Sequence, residues 1–198
     1  MADAVRTPVG RGVRPPTRRP FEDRLFVRWP GAWAALARGL EFLPPRSRIR
    51  RALVRRTLTS GWEAFVRGDL DLILVRYGPD CYLEPPREWT AAGMRSSYSG
   101  HAGWREWAAD WLEAWERMEL TSLEIVDAGN PVVVLGHFRL RARGSGIELD
   151  FRAAIAYWSE RGLIVRQRDF ANEDEALRAA GIPTAAAASS LRRVTTPP

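Results

Sequence analysis

Two long segments of alternating polarity, residues 132–143 and 147–159, meet at Arg143-Gly144-Ser145-Gly146, and a third, residues 163–171, follows Arg161-Gly162. Alternation with a period of two marks a half-buried strand, and a short glycine-bearing link between two such runs marks a hairpin. With Gly144 and Ser145 as the tight turn, Phe138 faces Phe151, Leu140 faces Leu149, Ala142 faces Ile147 and Val134 faces Ile155 on one side. On the other side Arg139 faces Asp150, Arg141 faces Glu148 and His137 faces Arg152. A slip of one residue would exchange the two faces, so this pairing predicts an apolar interior face and an outer face carrying an ion-pair ladder. In the third strand Leu163 and Val165 share a parity with Gln167 and Asp169, which turns those two polar residues inward and Arg166 and Arg168 outward. A carboxylate on an apolar wall is costly without a partner, which singles out Asp169.

The rest of the chain supplies helices and one further strand pair. Pro30 near a helix start, with Trp33, Leu36, Leu40 and Leu43 on one side, predicts a helix over 29–43 that Pro44-Pro45 stops. A longer helix over 47–66 follows, with Ile49, Leu53, Leu58, Trp62 and Phe65 at helical spacing. Gly68-Asp69 breaks it. A short helix over 70–77, a strand over 81–84 and a loop over 85–100 come next. Trp104, Trp107, Trp111 and Trp115 recur by three and four, which predicts one face of a helix over 102–117 and a stripe of core side chains. A strand over 119–127 precedes the hairpin. Helices first and an antiparallel sheet after them make an α+β domain.

All thirty basic residues are Arg, which reads as coding bias before function. Residues 1–56 hold 14 Arg against 4 acids, whereas residues 57–198 hold 16 against 20, so the net charge of +6 belongs to an extension. Residues 1–20, rich in Arg, Pro and Gly, are expected to be a disordered arm. The organisation read from these features is a basic extension over 1–46 with its aromatic helix, a main domain over 47–182 and a flexible tail over 183–198. One cysteine, Cys81, excludes an internal disulfide, no apolar run reaches a membrane span, and the N-terminus has no signal-peptide core, which together point to the cytoplasm. His101 and His137 are too far apart in sequence to suggest a metal site, and no phosphate loop or nucleophile elbow is present, so neither metal nor cofactor is expected.

Trp62-Glu63-Ala64-Phe65-Val66-Arg67-Gly68-Asp69-Leu70-Asp71, Tyr77-Gly78-Pro79-Asp80, Tyr98-Ser99-Gly100-His101 and Asp169-Phe170 with Glu175-Ala176-Leu177, in that order around the hairpin, resemble the SnoaL-like branch of the nuclear transport factor 2-like superfamily over residues 47–182. The resemblance implies a cone, with helices closing over a strongly curved sheet and a hollow that takes a small hydrophobic molecule. It also implies a homodimer, and chemistry of the polyketide cyclase, isomerase or hydrolase kind, in which carboxylates act as general bases. Arg166-Gln167-Arg168-Asp169-Phe170 looks like the strand of limonene-epoxide hydrolase that bears a catalytic aspartate, so the resemblance gives that role to Asp169. The same hydrolase needs an Arg and a second Asp on an earlier strand, where this sequence turns Gly136, Phe138 and Leu140 inward. The expected ligand wall is Gln167, Phe138, Leu140, Phe151, Tyr157, Trp107 and Trp111. The competing expectation is a non-catalytic ligand-binding or dimerisation domain. Contact of the Arg-rich extension with nucleic acid or anionic membrane is the less favoured use of Trp29, Trp33 and Phe42.

Overall fold

Seven strands and seven helices appear in a computed structural model that describes residues 4–9, 19–91 and 93–184. In chain order they are β1 (Val5–Val9), α1 (Phe21–Arg28), α2 (Pro30–Glu41), α3 (Arg48–Val66), α4 (Leu70–Leu74), β2 (Tyr77–Glu84) and α5 (Arg87–Ala91). There follow β3 (Tyr98–Ser99), α6 (Gly100–Ala114), β4 (Trp115–Asp127), β5 (Val132–Ala142), β6 (Glu148–Glu160), β7 (Leu163–Phe170) and α7 (Glu173–Ala179). The strands form one sheet in the order β1-β4-β5-β6-β7-β2-β3. Helices over a curled sheet give the α+β cone expected from the sequence.

The central hairpin has the register read from alternation. Phe138 pairs with Phe151, Arg139 with Asp150, Leu140 with Leu149 and Val134 with Ile155. Of its outer ladder, Arg139 Nε lies 3.5 Å from Asp150 Oδ2 and Arg141 Nη1 3.9 Å from Glu148 Oε1 as expected, whereas Arg141 Nε also turns to Glu116 Oε1 of β4 at 2.6 Å and His137 Nε2 meets Asp150. Only the tip of that outer face is charged. Nearer the cone's base Val133, Leu135, Ala154, Ala156 and Phe170 bury against Ala176 and Leu177 of α7, an apolar layer on the convex side.

Four features depart from the sequence reading, each for a local reason. The sheet is mixed, because β2 pairs parallel with β7. Residues 5–9, expected within a disordered arm, extend the sheet as β1 antiparallel to β4, since Val5, Thr7 and Val9 alternate with polar or proline positions on an otherwise open edge. At the hairpin tip Ile147 and Leu149 are exposed although their parity is interior, because α6 ends at Ala114 and no other element among the described residues covers them. In the third strand the register shifts between Trp158 and Ser159, so Ile164 and not Leu163 or Val165 shares the interior with Gln167. The tail beyond residue 184 and positions 1–3 and 10–18 of the arm lie outside the described residues.

Helix boundaries follow their caps. Ser47 accepts a hydrogen bond from Arg50 N to start α3. The α6 helix stops earlier than its Trp repeat, because Trp115 already has extended backbone and opens β4, and Arg143 Nε donates to Glu113 O at 2.9 Å to close the helix end. The extension contributes two helices in place of one, and α2 sits so closely on the β6–β7 turn that a Cβ at Gly162 would lie 2.5 Å from Ala34 O. Trp33 is buried there, while Trp29 and Phe42 are exposed at 57% and 83%. Arg50 fastens α2 and α3 to the sheet: Nε and Nη2 donate to the two oxygens of buried Asp127 at 2.7 and 2.9 Å, and Nη1 donates to Leu40 O at 2.7 Å. No helix among the described residues is long and apolar enough to cross a membrane.

Candidate functional site

The hollow of the cone is bounded by α3 and α6 above and by β4, β5, β6 and β7 below. Aromatic rings from both layers meet in it: Trp62 stands 5.2 Å from Phe138, Phe65 5.5 Å from Trp107, and Phe138 5.8 Å from Phe151. Gly136 makes room for one of them, since a Cβ there would lie 2.5 Å from the Phe138 ring. The rings divide the interior. A space of about 120 Å³ is bounded by Tyr77, Trp107, Phe138, Tyr157 and Gln167 among others. A smaller one, about 50 Å³, is bounded by Trp89, Trp107, Trp111, Phe138, Phe151 and Asp169. Trp62, Phe65, Trp107, Phe138 and Ile155 belong to both walls, so they form the partition. Trp89, Trp111 and Phe151 also line an open outer groove of about 620 Å³, which makes them the threshold between solvent and Asp169.

Both inward polar residues of β7 are fully enclosed, Gln167 at 2% and Asp169 at 5% exposure. Tyr77 donates its hydroxyl to Gln167 Oε1 at 2.5 Å, and Gln167 Nε2 donates to Asp169 Oδ1 at 2.8 Å. Period two puts the two β7 side chains on one face, and the parallel pairing of β2 with β7 brings Tyr77 beside them. Oδ2 of Asp169 has no hydrogen-bond partner among the described residues. Burial lifts the Asp169 carboxyl from 3.8 to about 7, with the Gln167 bond pulling the other way. Burial, then the charges of Tyr157 and Asp169, pushes the Tyr77 phenol well up, and burial with Asp169 does the same for Tyr157. The indole N–H groups of Trp107 and Trp111, on the wall that holds Asp169, are buried without a partner among the described residues. A carboxyl that titrates near neutrality beside unused donors can exchange a proton with a ligand and receive an oxygen on which charge develops.

The sequence-derived residues divide among these spaces. Gln167, Phe138, Tyr157 and Trp107 line the larger interior space. Asp169, Phe151 and Trp111, with Phe138 and Trp107 again, line the smaller one. Leu140 is buried under the outer groove and reaches neither interior space, a correction that follows from the same overhang that exposes Leu149. His101 lies in the first turn of α6 with Nε2 3.0 Å from Tyr77 O, away from Asp169's wall. Among the described residues no group of three His, Cys, Asp or Glu side chains could hold a metal. Sequence reasoning missed Tyr77, Arg76 and Trp89. The first two fall at the end of a stretch expected to be helical, where parity carries no signal, although Arg76 links α4 to β2 and Tyr77 opens β2; Trp89 sits in a stretch read as loop that contains α5.

Comparison with known proteins agrees with this architecture. No curated protein matches the chain. A nuclear transport factor 2-like protein of unknown function from Burkholderia pseudomallei is 25% identical with a TM-score of 0.54, covering 63% of this chain and 95% of its own. TerC, co-crystallised with polyporic acid, is 22% identical with a TM-score of 0.53 over 63% of this chain and 95% of its own. A candidate SnoaL-like polyketide cyclase from Jannaschia sp. CCS1 is 18% identical with a TM-score of 0.50 over 66% of this chain and 90% of its own. The SnoaL-like domain profile matches residues 58–167. With its cone, its order of elements and that match over more than half its length, the chain belongs to the SnoaL-like family of the nuclear transport factor 2-like superfamily.

Proposed function

We propose that the protein binds a small, largely apolar molecule in the cone and transfers a proton on it with Asp169 as general base. The observation that carries this reading is a buried carboxyl on an otherwise apolar wall whose Oδ2 has no partner among the described residues, and burial lifts its pKa to about 7. A base works best when its pKa lies near the ambient pH. Oδ2 would take a proton from a carbon acid or from a water molecule, while Gln167 holds Oδ1 and Tyr77 holds Gln167. An oxygen that gains negative charge as the proton leaves would meet the Trp107 or Trp111 N–H. The proton is returned to the product or to solvent, so no cofactor is consumed. Such chemistry has the form of isomerisation, cyclisation or hydrolysis.

Turnover on panels of polyketides, steroid enones and epoxides tests this. Wild type should convert at least one class with a rate that rises as pH passes about 7, and Asp169→Asn should lose roughly 10²–10⁴-fold. Equal rates for the two proteins would remove Asp169 from the mechanism. A second reading, a non-catalytic binding domain, is favoured by the aromatic partition, because Trp62, Phe65, Trp107 and Phe138 fill much of the hollow themselves. In either reading the protein works in the cytoplasm as a homodimer.

A further inference from the structure

Arg76 lies in the short link between α4 and β2 and is buried at 6% exposure on the wall shared by two spaces. One is the larger interior space beside Gln167, and the other, also about 120 Å³, lies between α2 and the sheet. Nη1 donates to Thr57 O at 2.7 Å and Nη2 donates to Ser60 Oγ at 2.9 Å. The Trp33 ring of α2 stands 5.4 Å from the guanidinium carbon. Gly61 leaves room for it, since a Cβ there would lie 2.7 Å from Nη1.

The charge of this side chain is only remotely answered. The acid whose charge acts on it is Asp23 of α1, which accepts from Ser60 Oγ at 3.0 Å, so a hydroxyl stands between carboxylate and guanidinium. No carboxylate of a described residue lies within ion-pair reach of Arg76, and among the described residues its two bonds leave three of five N–H donors without a partner. Arg50 shows what this fold does with a buried guanidinium whose role is structural: Asp127 takes it through two nitrogens and backbone oxygens take the rest. A desolvated cation with spare donors facing a cavity is costly unless an anion enters.

We propose that Arg76 anchors an acidic group of the bound molecule, so that the ligand is a small apolar acid: a carboxylate, or an enol acidic enough to be ionised. This rests on the reading of the cone as a binding site for a small apolar molecule, and needs no catalysis by Asp169. The ligand lies with its anion at Arg76 and its apolar body toward Phe65, Trp107 and Phe138. That orientation carries its far end to the partition behind which Asp169 stands.

The test is fluorescence titration of the interior tryptophans with matched probes, phenylacetate and 2-naphthylacetate against their methyl esters. At about pH 6 the probe acids are ionised while Asp169 is mostly protonated. For wild type each acid should bind about 10-fold or more tightly than its ester, the scale of a charge-assisted hydrogen bond. Arg76→Gln should bring acid and ester to parity and Arg76→Lys should retain part of the preference. Equal affinity of acid and ester for wild type overturns the anchor and leaves the cone as an apolar site. Binding of neither overturns the reading on which the anchor stands, and the anchor with it. The wild-type comparison decides the matter even where Arg76→Gln does not fold.

Discussion

Replacing Asp169 by Asn should make the protein more stable, by an amount that depends on pH in a calculable way. Asn keeps the shape and can still accept from Gln167 Nε2, so what changes is the ability to ionise. Below about pH 4 the carboxyl is protonated in folded and unfolded chains alike and contributes no difference. Between about 4 and 7 the unfolded chain gives up its proton while the folded chain, with its carboxyl lifted from 3.8 to about 7, retains it, so wild-type stability falls as pH rises. Above 7 both forms are ionised and the whole penalty stands. At about 1.4 kcal/mol per decade of proton affinity the penalty approaches roughly 4 kcal/mol, and the part gained between about pH 5 and pH 8 is roughly 3 kcal/mol. Urea unfolding of both proteins, followed by tryptophan fluorescence at several pH values, gives the difference directly, because every other titrating group cancels. The advantage of Asp169→Asn should widen up to about pH 7 and then level off. An advantage that is flat across this range would mean that Asp169 titrates normally and is hydrated, which would also remove the basis for its role as a base at neutral pH.

Arg50→Leu strands the Asp127 carboxylate in the interior and should cost about 3–5 kcal/mol in urea unfolding, far more than loss of any exposed pair of the outer ladder. Gly162→Ala places a methyl against the backbone of α2 at a φ of +82°, so it should cost about 1–3 kcal/mol and open the segment between α2 and α3 to limited proteolysis. Cys81 is buried and its thiol is pushed up by burial, so a disulfide reagent should label it only after unfolding.

How much could be read from the sequence follows from the range of the interactions involved. The hairpin was legible because period two and a glycine turn are local, and a wrong register would have put Arg139 beside Phe151. Gln167 and Asp169 were legible by the same parity, though only beyond the shift opposite Ser159. That shift moved Ile164 inward and Leu163 out, and a bulge leaves no mark in alternation. The Trp repeat predicted the inward face of α6 and overran its end, because spacing by three and four cannot show where Trp115 turns extended. Tyr77 and Arg76 were beyond reach: their place beside Gln167 and Ser60 depends on a parallel pairing and on a helix contact between distant parts of the chain. The strand at 5–9 was hidden by the composition around it, which resembles a disordered arm and contains one short alternating run.

The interior polar groups sort by how completely the fold satisfies them, and that sorting separates support from function. Arg50 is satisfied by Asp127 together with backbone oxygens of Leu40, Leu43 and Gly129, and the gain is mechanical: two helices held to a strand end. Asp169 and Arg76 are equally buried, yet each keeps hydrogen-bonding capacity turned to an open space. Aliphatic side chains at both positions would pack the cone without the cost of desolvating a carboxyl and a guanidinium. Groups of opposite charge, retained on walls that are otherwise rings and methyls, are what support the proposal of a ligand with an apolar body, an acidic end and an exchangeable proton. Under the two proposals a ligand of that kind would neutralise Arg76 and reach toward the partition of Trp107 and Phe138, across which Asp169 titrates near pH 7.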